Sequence, residues 1–400
     1  MAPAGSVPPL LDWLVVGGGI HGTHLSLALT ARLGWPRDRV RVLDPHPEPL
    51  ALWTQQTANT GMTFMRSSLV HHLDLDPYGL KQFEKAREAA TVARFASPYN
   101  RPSYRLFQAH ARHVVAEHDL GALRVRGRAT GLRRVTGGWR VETERGALDA
   151  RHVLLAIGNT EQPCWPGWAR ALRDQGTRVN HLFDPTFRRA EVSEGERVAV
   201  VGGGISAAQA AIALAPRGPT VLAARHAARV HQLDADPVWL GPEQMRTFLS
   251  EPCPAARRRA INSARHRGSI PPDVLSRLQQ AVRWHALCHV TSEVMPVKIG
   301  PHGVVRLALH PPNEAAFAVT VDRIVLATGF EAARPGGAWL DAAIEAEDLP
   351  LAPCGFPHLE SSLAWAPGLY TAGPLAELEL GPTARNIAGA RAAADRLPVA

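Results

Sequence analysis

Two stretches far apart in the chain carry the same signature: "DWLVVGGGIHGTHLSLAL" from Asp12 and "RVAVVGGGISAAQAAIAL" from Arg197. In each, a short apolar run reads as a buried strand, glycines follow at once, and an Ala/Leu-rich helical pattern begins. That context gives a G-x-G-x-x-G loop its meaning. The glycines let backbone approach a pyrophosphate closely, and the helix N-terminus aims free N–H groups at its charge. A second echo lies downstream, where "HVLLAIGN" ends at Asn159 and "DRIVLATGF" ends at Phe330. The order loop, strand-Gly, loop, strand-Gly predicts an α/β fold with two related Rossmann-like dinucleotide-binding units.

Two loops imply two dinucleotides, and the residues beyond them distinguish the pair. Gly17, Gly19 and Gly22 fill the first loop, and "VRVLD" ends in Asp44, a carboxylate suited to ribose hydroxyls. Gly202, Gly204 and Ala207 fill the second, and "TVLAAR" ends in Arg225. A carboxylate repels a 2′-phosphate, whereas a guanidinium binds it bidentately. The first site is therefore expected to take a non-phosphorylated dinucleotide and the second NADPH.

With 400 residues the chain can bury two cores. Helices are expected near Tyr78 to Ala90 and Ser103 to His118. "LRVRGRATGLRRVTGGWRVETERGALDARHVLLAIG" reads as a β-meander broken at "TGG" and "ERG". "EQPCWPGW" from Glu161 is a crossing linker. Pro242 to Ala286 is mainly helical, interrupted by "GSIPPD", and the end of the chain reads as strand, glycine turn and helix. An FAD-type domain from residues 1–160 and 322–400 would then hold an inserted NADPH domain, 161–321, in a three-layer arrangement with the meander. The start has no basic n-region and its apolar run is interrupted, so neither a signal peptide nor a membrane span is expected, and a cytoplasmic protein is. The formal charge of +8 comes almost wholly from scattered arginines with no aromatic platform, which argues against nucleic acid. Four dispersed cysteines without a C-x-x-C pair argue against a disulfide framework, a structural zinc site and a dithiol redox centre.

The chain resembles the two-dinucleotide flavoproteins that bind FAD at the first unit and NADPH at the second. "GGGISAAQAA" is similar to the NADPH loop of flavin-containing monooxygenases, and "LATGF" at Leu326 to Phe330 to a motif of the lysine and ornithine N-hydroxylases. "TFMRSSLVHHLDLDPYGLKQF" from Thr63 resembles the segment of those N-hydroxylases beside flavin and substrate. The resemblance implies Trp53 and Met62 to Ser68 near the isoalloxazine, and Gly373 with Pro382 to Asn386 at its pyrimidine end. It also implies Gly158 and Gly329 at the cofactor sites. Arg66 stands where those enzymes place a substrate-binding lysine, as a holder of a substrate carboxylate, as an arginine on a flavin phosphate or as one of a surface pair. "GSIPPD" replaces their Thr-Asn-Tyr element, which speaks against a free amino acid as substrate. "AGP" at Ala372 lacks the acid that disulfide-reductase relatives carry after this glycine.

The function implied is an FAD-dependent, NADPH-consuming monooxygenase working through a flavin C4a-hydroperoxide, with dioxygen and a small nucleophilic, amine-like substrate as partners. An NADPH-dependent flavoprotein reductase and a non-catalytic flavin sensor are the alternatives, and the oligomeric state is left open. His71 and His72 are candidates for proton transfer or orientation at the flavin. With Asp74 and Asp76 they lack metal-ligand spacing, so no metal is expected. His21 and His24 read as packing beside the first loop. The tract "ARRRAINSARHRGS" reads as a solvated helix face or as a clamp for phosphates or an acidic substrate.

Overall fold

The structure is a computed structural model that describes residues 10–86, 95–312 and 314–400, with only the backbone described at Val297. The beginning of the chain and residues 87–90 of the first expected helix lie outside the described residues; that helix is seen over Gly79–Ala86. Tyr104–Glu117 forms the second, capped by the Ser103 hydroxyl, which accepts from Leu106 N at 3.2 Å.

Two mixed α/β units follow from the two apolar strands that precede the glycine loops. Leu11–Val16 is buried at every residue because parallel neighbours, Val40–Asp44 and Gly146–Leu155, flank it and both faces are covered. The sheet continues to Arg124–Arg126 on one side and to Leu369–Thr371 and Ala364–Ala366 on the other. The expected meander, Ala129–Val135 and Gly138–Thr143, joins it antiparallel through Gly146–Leu155.

The second sheet is wholly parallel, in the order Cys288–Thr291, Thr220–Ala224, Val198–Val201, Arg323–Leu326, Val179–His181. Its side chains alternate between two cores. Val198, Val200, Leu222 and Val325 meet the alanine face of helix Ile205–Leu214 and Val274 and Leu278 of helix Pro272–Arg283. Ala199, Val201, Val221, Ile324 and Leu326 meet Val305, Leu307 and Leu309 of an antiparallel three-stranded sheet. Alanines on the helix let it sit close to the strands, as its position after a tight loop requires.

The boundary expected after Val321 is corrected by this topology. Arg323–Leu326 pairs with Val198–Val201 and Val179–His181, so it belongs to the inserted unit. The chain leaves and returns side by side, with Pro163 bridged to Phe330. "GSIPPD" also holds a short strand, Ser269–Ile270, parallel to Arg229–Val230.

The units are tied together by polar contacts on several sides. Asn59 donates to Leu182 O at 3.1 Å and Phe187 O at 2.9 Å and accepts from Arg189 N at 2.9 Å. Arg101, 1 % exposed, pairs with Asp273 at 3.2 Å. The arginine tract, expected as a solvated face or a phosphate clamp, is turned inward instead. Arg257 and Arg258 pair with Glu379 and Glu377 of helix Glu377–Leu380. Glu377, itself 1 % exposed, also takes a two-pronged contact from Arg385 at 2.7 and 2.9 Å. Burial pushes its carboxyl up, but these guanidinium groups outweigh burial and hold it below the usual range. Replacing Glu377 with Ala leaves several buried cations without their carboxylate. Thermal and denaturant unfolding should show a loss of about 3–5 kcal/mol, as for other broken buried pairs.

Candidate functional site

The first glycine loop is fixed by backbone crowding. Gly17 has φ of +110°, and a Cβ there would stand 2.7 Å from Ala156 O; a Cβ at Gly22 would stand 1.7 Å from Gly17 O. Gly19 has nothing within 4 Å of its Cβ position, so its face is open. Helix Ile20–Leu27 starts there with no acidic residue in its first turn. Its N-terminal positive end is therefore available to an anion. Asp44 accepts from Gly18 N at 2.6 Å and His46 N at 2.9 Å, and Arg124 sits 3.3 Å away. Arg124, which no motif singled out, thus positions the acid behind the loop.

From this loop a cavity of about 790 Å³ runs through the cleft between the units. Its size is that of a site for a large ligand. Gly17, Gly19, Asp44, Trp53, Gly158, Arg66, His71, Gly373 and Asn386 all line it, as do Met62, Met65, Ser67 and Ser68. The far wall is contributed by the inserted unit: Leu233, Asp234, Ala235, Pro237, Leu240 and Arg265. Phe330 closes one side, stacked on Phe183 at 4.8 Å. A space of this size that begins at a crowded glycine loop and a bare helix N-terminus, with a ribose-suited acid beside it, fits FAD.

Several expected site residues lie elsewhere. Gly22 packs the helix against the loop from behind. Gly329 accepts from Cys164 N at 2.9 Å on the crossing strand and does not line the cavity, although Phe330 next to it does. His72 is fully buried, its Nε2 3.1 Å from Pro77 O and its ring edge-on to His110 at 4.9 Å, so it is not a cavity group. The chain is not extended there, yet the two adjacent imidazoles still part company. Arg66 borders the cavity but its donors are spent: Nε on Gln232 O, Nη2 on His231 O, Leu233 O and Ser269 Oγ, and Nη1 3.2 Å from Asp234. These bonds lock the far wall and are not the surface pair expected as one of its readings. Arg265, missed as an individual residue, has a buried Nη1 with no hydrogen-bond partner and Glu377 3.8 Å away. Burial, then repulsion from Arg385, lowers its pKa from the ordinary arginine value.

The second loop has the same backbone logic and a different surrounding. A Cβ at Gly202, φ +153°, would stand 2.4 Å from Ala327 O, and Ala207 is buried beneath. Arg225 follows strand Thr220–Ala224 and is exposed, as a phosphate ligand must be. His226, however, lies over the loop, 2.9 Å from a Cβ built on Gly203, and Gly268 faces Gly204. The crevice left has no room even for a water molecule, so the loop suits a pyrophosphate but His226 must move to admit one.

The comparisons with known proteins agree with this geometry. Residues 14–160 match the FAD-NAD(P)-binding family model. Residues 124–332, just over half the chain, match the model for L-lysine 6-monooxygenase/L-ornithine 5-monooxygenase. The chain belongs to this monooxygenase family. It is accordingly an FAD- and NAD(P)H-dependent oxidoreductase of the monooxygenase type. No curated protein sequence matches it. Among solved structures, ornithine hydroxylase from Pseudomonas aeruginosa is similar in fold, with a TM-score of 0.74 at 18 % identity over 97 % of this chain and 98 % of that one. The FAD-bound cadaverine monooxygenase from Erwinia amylovora gives 0.72 at 13 %, over 97 % and 93 %. The ornithine N-hydroxylase from Kutzneria, solved with reduced FAD, NADP+ and L-ornithine, gives 0.72 at 17 %, over 97 % and 98 %. No helix among the described residues of this family member is long and apolar enough to cross a membrane.

Five histidines in or near the site are held neutral chiefly by burial. His21, His24, His71, His72 and His181 are each lowered to about 4, and Arg391 adds to the effect at His71. Each has an ordinary pKa of 6.5 in the unfolded chain, which therefore binds more protons than the folded one between pH 6.5 and 4. Stability should be unaffected by them above pH 6.5. It should fall through that window by about 1.4 kcal/mol per pH unit per histidine, read as Tm against pH. A Gly22→Ala variant should lose FAD on gel filtration, because a Cβ there has no space.

Proposed function

We propose that the protein uses NADPH and dioxygen to hydroxylate the nitrogen of a small amine that also carries an acidic group. The observation that supports this reading is the cavity itself, which passes from the first loop to the start of helix Ile387–Ala394 and is closed by the inserted unit. Gly17, Gly19 and Asp44 hold the dinucleotide end. Trp53, Met62, Met65 and Phe330 line the other part and exclude water from the reacting centre. FAD, when bound, supplies hydride acceptance and dioxygen activation at its C4a position. Asn386, which caps helix Ile387–Ala394, would set a positive dipole end toward the pyrimidine side of the ring, with Gly373 lining the cavity beside it.

His71 contacts Ser68 Oγ at 3.1 Å, and with a pKa of about 4 it orients a polar group near neutral pH rather than delivering a proton. Arg265 takes the anchoring role that Arg66 cannot, because it lines the cavity and its guanidinium faces Glu377 only at 3.8 Å. Arg225 selects the 2′-phosphate of NADPH at the second loop.

Rapid mixing tests the reaction. FAD-loaded protein, reduced anaerobically with NADPH and mixed with oxygenated buffer, should pass through a long-lived oxygenated flavin spectrum, with or without an amine present. Direct return to oxidised flavin under both conditions would identify a reductase or oxidase, and failure of NADPH to reduce the flavin would leave a sensor. Arg225→Ala should raise the Kd for NADPH at least tenfold while changing that for NADH little; equal changes would overturn the assignment.

A further inference from the structure

We infer that His231, Asp236 and His266 form a site for one divalent metal ion of the zinc type at the outer side of the cavity wall. One ligand atom from each of the three lies within 4.8 Å of the others, and His266 Nε2 is already 3.0 Å from Asp236 Oδ1. Two imidazoles and one carboxylate are a ligand set for borderline divalent ions, with bonds of about 2.0–2.2 Å and a remaining position for water. Such bonds put neighbouring ligand atoms roughly 3–3.5 Å apart in a tetrahedral arrangement. The His266–Asp236 separation meets this. The rest is closed by side-chain rotation, with the parallel rings of His231 and His266, 3.6 Å apart, splaying so that their nitrogens converge.

The backbone that carries the three ligands is braced. His231 N donates to Ile270 O at 3.2 Å and His266 N to Asp234 O at 2.7 Å, and Ala235 is bridged to Arg265. His231 O in turn receives Arg66 Nη2 at 2.9 Å. The ligands are thus brought together from two segments, 231–236 and 265–270, that are already paired. Because Leu233, Asp234, Ala235 and Pro237 line the cavity, the ion would staple the segment that forms its far wall.

Tag-free, FAD-loaded full-length protein, freed of metal with a chelator and titrated with zinc chloride, tests this by calorimetry and by thermal unfolding. One ion per chain is expected, with a rise in Tm. Asp236→Asn, an exposed position that leaves folding intact, should weaken binding at least tenfold, and His266→Ala should abolish the one-ion step. Flavin content, read by absorbance, should match the wild type in both variants. Absence of a one-ion step in the wild type, or the same step in both variants, would overturn the site. Neither readout depends on turnover.

Discussion

A carboxylate at 1 % exposure among guanidinium groups has few tolerable arrangements, and Glu377 has found one that spans the molecule. Arg385 comes from the turn before the last helix of the flavin unit and Arg258 from the inserted unit, and Glu377 holds both. Removing a charge of either sign leaves another buried without compensation. The inserted unit is thereby held against the end of the chain, and Arg66 holds its 231–234 segment from the opposite side. Together with those of Asn59 and Arg101, these two contacts help hold the far wall of the cavity. Both use arginine, whose planar fork accepts several partners at once.

The parts of this fold that rest on local chemistry could be read directly from the chain. Both loops could be recognised because Gly17, Gly22 and Gly202 are required by contacts within a few residues or with the adjacent strand. The meander could be recognised from alternation and glycine turns. Arg66, His72 and the 257–265 tract were harder, since their partners lie a hundred residues or more away or on an unpredicted bend. Arginine in particular looks alike in sequence whether it binds a ligand, a carboxylate or a row of carbonyls. The boundary at Val321 was misplaced for a related reason: "DRIVLATG" resembles the strand that ends the first unit, and only its pairing with Val198–Val201 shows which sheet it joins.

The two glycine loops, so alike in sequence, have different surroundings. At the first, the space in front of Gly19 is open and the acid behind it is braced by Arg124. At the second, His226 rests on the glycines. The contrast follows from what comes after the second strand of each unit: Asp44 is drawn back onto Gly18 N, whereas the His226 ring lies against Gly203. A permanent cofactor suits the first environment and an exchanging one the second.

The neutral histidines around the cavity carry one more implication. With His21 and His71 uncharged above about pH 5, the fixed positive charge there comes from guanidinium groups, which keep their protons throughout the physiological range. These two histidines therefore add no pH-dependent charge to the cleft near neutral pH. For a substrate that must lose a proton before it reacts, as in the proposed reaction, the pH dependence of turnover would then report the substrate's own ionisation more than that of these two side chains.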